Sequence, residues 1–170
     1  MVIAVTERLV ISEISIKEAP FFVQLMNTPG FLKYVGDRNI KTKKDAEAYL
    51  KTRFLKSYKD HGFGYYKMAL KEQIDRPLGV VGILKRDTLD DADVGFALLP
   101  EFEGKGYGYE ASVEILKLAK QKFKMTKITA ITDPENMKSI KLLERLGMTF
   151  EKRVAPFEED KELLLFVKDL

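Results

Sequence analysis

Hydrophobic and polar positions change their period several times along the chain, and each change marks an element. Leu9-Val10-Ile11 is a short β-rich run that predicts a first strand. Ser15 with Glu18, and Thr42 with Asp45, have the spacing of capping boxes, in which side chain and main chain satisfy each other at a helix start. The first box predicts a helix to about Asn27 with Phe22, Leu25 and Met26 on its apolar side, its opening turn disturbed by Pro20. The second predicts a helix carrying Ala46, Tyr49, Leu50 and Phe54 that ends at Ser57 or Tyr58, before His61-Gly62. Three extended runs follow, Tyr65–Lys71, Leu78–Arg86 and Asp93–Leu99, separated by charged, turn-rich segments that predict an antiparallel meander.

Beyond Gly108 the period is helical again: Ala111, Ile115, Leu118 and Ala119 recur at i, i+4, i+7 and i+8, and the pattern ends near Phe123. Ile128–Ile131 is a β-rich run between two helices, so it is expected parallel to the Asp93–Leu99 strand through a right-handed crossover. Asn136 is a good helix N-cap and Gly147 a good residue after a helix end, and two strands, Thr149–Val154 and Leu163–Lys168, close the chain. About seven strands and about four helices in this order predict an α/β layered fold with a mixed sheet rather than a sandwich.

Composition narrows the chemistry. A chain of 170 residues without repeats or Pro/Gly-rich linkers reads as one domain, residues 1–170. There is no cysteine and one histidine, His61, so a thiolate nucleophile, a disulfide framework and an Fe–S cluster are excluded, and no metal is expected. The 29 Lys and Arg against 26 Asp and Glu are well mixed, with Lys117, Lys120, Lys122 and Lys124 interleaved among apolar positions of one helix. That is the pattern of a solvated face, so neither nucleic acid nor membrane is an expected partner. No basic leader with a long apolar stretch opens the chain, and a cytoplasmic location is expected.

The most informative stretch is Phe96 to Ala111. A strand runs into a loop with Gly104, Gly106 and Gly108 at every second position, and the loop runs into a helix. Such glycines let main-chain N–H groups converge, and a helix N-terminus adds about half a positive charge, which together suit a phosphate or pyrophosphate. Spacing decides between phosphate folds. Gly-x-Gly-x-Gly is not the dinucleotide signature, and Ile128 stands where that fold needs an acid; a P-loop fails because Gly104-Lys105 is followed by Gly106 rather than Ser or Thr.

Pro100–Ala111 resembles the acetyl-coenzyme A pyrophosphate motif of the GNAT family of N-acetyltransferases. Its Gly-Lys-Gly-Tyr-Gly-Tyr-Glu-Ala wording is similar to the branch that includes the ribosomal-protein N-terminal acetyltransferases. Asn136–Met148 resembles the family's second cofactor motif and Thr6–Leu9 its opening strand, while the stretch around Asp37, Arg38, Ile40, Thr42, Asp45 and Ala46 also looks like the branch. The resemblance implies a layered fold around a mostly antiparallel twisted sheet, and acetyl transfer from acetyl-coenzyme A to a primary amine, by direct attack with both substrates bound. It implies that Phe96, Ala97 and Leu98 pair with the pantetheine arm, that Glu103, Gly104, Lys105, Gly106, Tyr107 and Gly108 surround the pyrophosphate, and that Asn136 and Ser139 contact the pantetheine side. Three positions depart from the family: Glu103 where Arg or Gln is commonest, Leu143 where many relatives have a thiolate-protonating tyrosine, and Met148 where Phe is usual.

An alkyl amine, with a pKa near about 10.4, must shed a proton before it attacks. Asp93 is the first candidate base, through a water, with Glu110, His61 or no dedicated residue as alternatives. Ser139 is the candidate donor to the departing sulfur. Phe31, Tyr34 and Arg38, with Tyr65 or Tyr66, are the candidate acceptor wall. The acceptor is expected to be a protein N-terminus or a small-molecule amine, and the chain a monomer or homodimer. The rival reading is a non-catalytic acyl-coenzyme A-binding module.

Overall fold

In a computed structural model, which describes residues 1–157 and 161–170, the meander, the crossover and the closing strands join into one eight-stranded sheet. In chain order the strands are β1 (Val2–Val5), β2 (Leu9–Glu13), β3 (Tyr65–Leu70), β4 (Pro77–Leu84), β5 (Asp93–Leu98), β6 (Lys127–Thr132), β7 (Thr149–Val154) and β8 (Leu163–Asp169). Their spatial order is β1-β2-β3-β4-β5-β6-β8-β7. Only β5 and β6 run parallel, as the crossover requires; every other neighbouring pair is antiparallel. The eighth strand, β1, is absent from the sequence reading, because an edge strand with no buried residue has no alternation to betray it.

Both capping boxes form. Ser15 and Glu18 close on each other ahead of a 3-10 turn, Ile16–Glu18, and helix α1 (Ala19–Leu25) follows with Pro20 in its first turn, where a missing N–H costs nothing. Helix α2 (Pro29–Tyr34) buries no residue and was not anticipated. Thr42 and Asp45 cap α3 (Lys43–Tyr49), which continues through a π-helical segment, Leu50–Leu55, into α4 (Lys56–His61). The expected helix therefore runs a turn further, to the left-handed Gly62. The last two helices, α5 (Tyr107–Gln121) and α6 (Met137–Arg145), match their patterns.

Side chains alternate along β5 and its neighbours, so the sheet has two distinct faces. Tyr65 and Gly82, with Gly95 and Ala97, share one face, on which the Phe54 ring packs against Tyr65 at 5.3 Å and Phe22 against Phe54 at 5.4 Å. Leu98 is on the other face, against the start of α5. Leu143 is buried in the core, which accounts for an aliphatic residue there.

Candidate functional site

The site begins with a fault in the sheet. β5 and β6 share a single registered pair, Asp93 with Thr129, where the Thr129 N–H donates to the Ala92 carbonyl at 2.9 Å. Past that pair the strands part. On its other edge β5 pairs with β4 along its whole length, and the Leu99 N–H donates to Leu78 at 2.9 Å. Antiparallel bonding alternates, so Leu99, Ala97 and Gly95 turn their amides to β4, while Phe96 and Leu98 turn theirs into the gap. Of the three residues expected along the pantetheine arm, Phe96 and Leu98 thus present backbone groups to the gap, whereas the Ala97 amide faces Val80.

The gap opens at the carboxyl ends of two parallel strands, the usual ligand position in such sheets. Two helix starts flank its mouth. One is α5, whose N-cap is Gly106. Gly104 (φ +75°) and Gly106 (φ +85°) are both left-handed, a conformation costing an L-residue about 1–2 kcal/mol. Among the described residues, no protein acceptor takes the backbone N–H groups of Lys105 to Tyr109. The other helix start is α6, where Asn136 caps the helix by accepting the Ser139 N–H at 3.3 Å, leaving its own amide nitrogen to donate elsewhere.

A tie that the sequence reading did not assign holds the loop from outside. Arg8 donates through Nη1 to the Lys105 carbonyl at 2.9 Å and through Nε to Glu110 at 2.7 Å, and its guanidinium lies 4.5 Å from the Tyr107 ring centroid. In a trans peptide the carbonyl and the next N–H point opposite ways, so drawing the Lys105 carbonyl toward Arg8 turns the Gly106 N–H away from it. Glu110 is fully engaged: it also accepts from Thr6 Oγ1 and the Arg8 N–H. Burial works against its charge, yet these hydrogen bonds outweigh it and hold the carboxyl below its usual range. Glu110 is therefore a structural tie, poorly suited to the alternative role of base. His61 is exposed at the end of α4, stacked on Phe63, and is not among the residues lining the cavity described below. Lys138 pairs with Glu103 at 3.3 Å, so the acid beside the loop is neutralised; with Arg8 paired to Glu110, Lys105 is the loop's own cation.

On the Tyr65 face of the sheet lies a cavity of about 110 Å³ walled by α1, α2, the end of α3 with the π-helical segment after it, and the strands β3 to β5. Phe31, Arg38 and Tyr65 line it; Tyr34 does not, and Tyr66 is buried elsewhere in a stack on Tyr58. The Tyr65 hydroxyl lies over Gly95, where a Cβ would come within 2.1 Å of it, so any other residue would displace the ring. Burial pushes the Tyr65 phenol up to about 12, so it keeps its proton at neutral pH. By alternation Asp93 belongs to the same face. It is 1% exposed, it is not itself among the residues lining the cavity, and it accepts from Arg86, which is, through Nε at 3.0 Å. Burial raises the Asp93 carboxyl to about 6 against the opposing pull of Arg86. Asp93 is thus a buried, perturbed acid rather than a solvated strand-edge charge.

This geometry meets its relatives. The description "Acetyltransferase (GNAT) domain" fits residues 8–149. The chain belongs to the GNAT acetyltransferase family. The uncharacterized N-acetyltransferase YnaD of Bacillus subtilis is 25% identical over 146 residues, covering 86% of this chain and 82% of that protein. RimL, a ribosomal L7/L12 alpha-N-protein acetyltransferase solved with coenzyme A, superimposes with a TM-score of 0.83 over 100% of this chain and 98% of its own, at 14% identity. MccE, a microcin C7 self-immunity acetyltransferase solved with acetyl-CoA and AMP, has a TM-score of 0.81 over 96% and 93% of the two chains, at 17% identity. These likenesses show the mixed, mostly antiparallel fold, and the family makes this chain an acetyl-CoA-dependent acetyltransferase.

The residues fit that donor. Among the described residues the β6-side edge of β5 past Asp93 pairs with no strand, which suits an amide-bearing arm, and the α5-start amides have no protein acceptor, which suits a diphosphate.

Proposed function

We propose that this GNAT protein is an N-acetyltransferase that moves acetyl from acetyl-CoA to a primary amine, a protein N-terminus or a small-molecule amine, with both substrates bound at once. The observation that carries this reading is the position of β5. Its unpaired edge borders the gap that suits the donor, and its Tyr65 face borders the cavity that suits an acceptor.

Acetyl-CoA supplies an activated acyl group whose leaving thiolate is a weak base. In the transfer the amine nitrogen bonds to the acyl carbon, the carbon–sulfur bond breaks, its electron pair leaves on sulfur, and the amine loses a proton. Asp93 takes that proton through a water in our reading; its value of about 6 leaves it mostly ionised at pH 7 and close enough to the operating pH to act. The Phe96 and Leu98 amides supply donors where negative charge grows on the acyl oxygen. Lys105, Gly106, Tyr107 and Gly108 hold the pyrophosphate, and Asn136 offers its free amide nitrogen to the pantetheine. Glu103 contributes through its pair with Lys138 rather than as a phosphate contact. Ser139 donates to the departing sulfur, an assistance that suffices because a thiol of pKa about 8.5 leaves readily.

Thiol release from acetyl-CoA in the presence of a panel of amines tests the reading. Amine-dependent thiol, with intersecting initial-velocity lines as both substrates are varied, is expected. Tight coenzyme A binding with no amine-dependent thiol would make the protein an acyl-CoA-binding module instead.

A further inference from the structure

The acceptor cavity is aromatic, with Phe22, Phe31, Tyr49, Phe54 and Tyr65 in its wall, yet the charged side chains lining it among the described residues are both guanidinium groups, Arg38 and Arg86. A single ring brings them together: Phe157, from the β7–β8 connection, has the Arg86 guanidinium at 5.0 Å and the Arg38 guanidinium at 5.5 Å from its centroid. A cation–π contact holds each group beside the ring without using its N–H donors. Arg86 is balanced by Asp93 through Nε, and among the described residues neither of its Nη groups has a partner, so both remain as donors. With Asp93 the one described carboxylate bonded into this cluster, the balance on the cavity is one positive charge.

That balance selects among amines. A polyamine or a lysine-like acceptor would bring a second cation against two guanidinium groups. A carboxylate or phosphate would instead meet two planar forks of donors in a cavity walled by rings, where a charge-assisted pair is strongest. The cavity, about 110 Å³, has room for about one side chain of an acceptor. We infer that the acceptor is a small primary amine with an apolar body and an anionic oxygen group, carboxylate or phosphate, which Arg38 and the Nη groups of Arg86 hold while the amine lies against β5. This rests on the N-acetyltransferase reading and names its substrate class.

The test separates the two readings by pairing a binding arm with a turnover arm. Calorimetric titration of the coenzyme A-loaded protein compares 3-phenylpropanoate, phenyl phosphate and phenethylamine, which share an aromatic body and differ in charge. At least one anion is expected to bind tenfold or more tighter than the amine, and the preferred anion tells carboxylate from phosphate. Arg38→Gln should remove most of that preference, while Arg38→Lys, which keeps charge but loses the fork, should keep part of it. In thiol release, L-phenylalanine, or its phosphonate counterpart if phosphate is preferred, should exceed phenethylamine tenfold or more in kcat/KM. Equal or tighter binding of phenethylamine, no binding of either anion, or anion binding indifferent to Arg38→Gln would overturn the inference. If anions bind as expected but no amine of any charge yields thiol, the transfer reading fails and the anion-binding cavity stands.

Discussion

Asp93 is the residue at which the proposed chemistry and the stability of this protein meet. Its carboxyl, raised to about 6 by burial, retains its proton in the folded chain at a pH where the unfolded chain has lost it. The protonated form therefore stabilises the fold below the ordinary carboxylate range, and that contribution is lost as pH rises from about 4 through about 6. Activity runs the opposite way, because only the ionised form accepts a proton. We expect kcat/KM for the amine to climb through an inflection near pH 6, and the inflection to vanish in Asp93→Asn; a profile flat across that range would remove Asp93 from the proton path. Urea titration of the variant at pH 7 controls for the loss of the Arg86 counter-charge. At Ser139 the expectation is smaller. In the proposed mechanism its hydroxyl assists a leaving group that needs little help, so Ser139→Ala should lower kcat by less than about 100-fold with the KM for acetyl-CoA little changed. Complete loss of turnover with intact coenzyme A binding would mean that Ser139 is an obligatory acid.

Elements are joined here by ties that a linear reading sees only in part. The turn between β1 and β2 is locked to the first turn of α5 by Arg8, Glu110 and Thr6, more than 100 positions apart in sequence. Removing Arg8 should release the Lys105 carbonyl and with it the orientation of the Gly106 N–H. Arg8→Ala is expected to weaken coenzyme A binding by about tenfold, the worth of one charge-assisted hydrogen bond, with kcat at saturating acetyl-CoA little changed. Arg8→Lys should restore the Glu110 pair without the second bond. A normal affinity in Arg8→Ala would show that the loop holds its shape unaided. Local rules made the caps legible: Ser15, Thr42 and Asn136 each act within three residues, a distance over which sequence spacing and spatial neighbourhood are the same thing. The same rules passed over β1 and α2. Neither buries a residue, so neither carries the apolar period from which an element is read. Arg8 was visible as part of a familiar stretch, but its partner Glu110 is fixed by tertiary packing alone.

At the scale of the whole molecule, the proposed donor site follows from one interruption in an otherwise continuous sheet. Had β6 stayed paired with β5 beyond Asp93 and Thr129, the Phe96 and Leu98 amides would be spent on a neighbouring strand and the start of α5 would face no opening. The glycine loop and its anion-binding character could be read from spacing, because glycine period and helix start are local. The parting of the strands could not, since nothing in the composition of Ile128–Ile131 distinguishes a strand that pairs from one that diverges. Nor could the cavity's charge, which depends on Phe157 folding back across two arginines distant in sequence. The central claim is that the loop amides and the β5 edge together receive the donor. The direct measurement is a backbone-amide NMR titration of the protein with coenzyme A. The account predicts the largest shifts at Lys105 to Tyr109, Phe96 and Leu98, with Ala97 less affected, and their loss in Gly106→Glu, which puts a negative side chain into the cradle. Saturable binding that moves other amides and leaves these unmoved would contradict it.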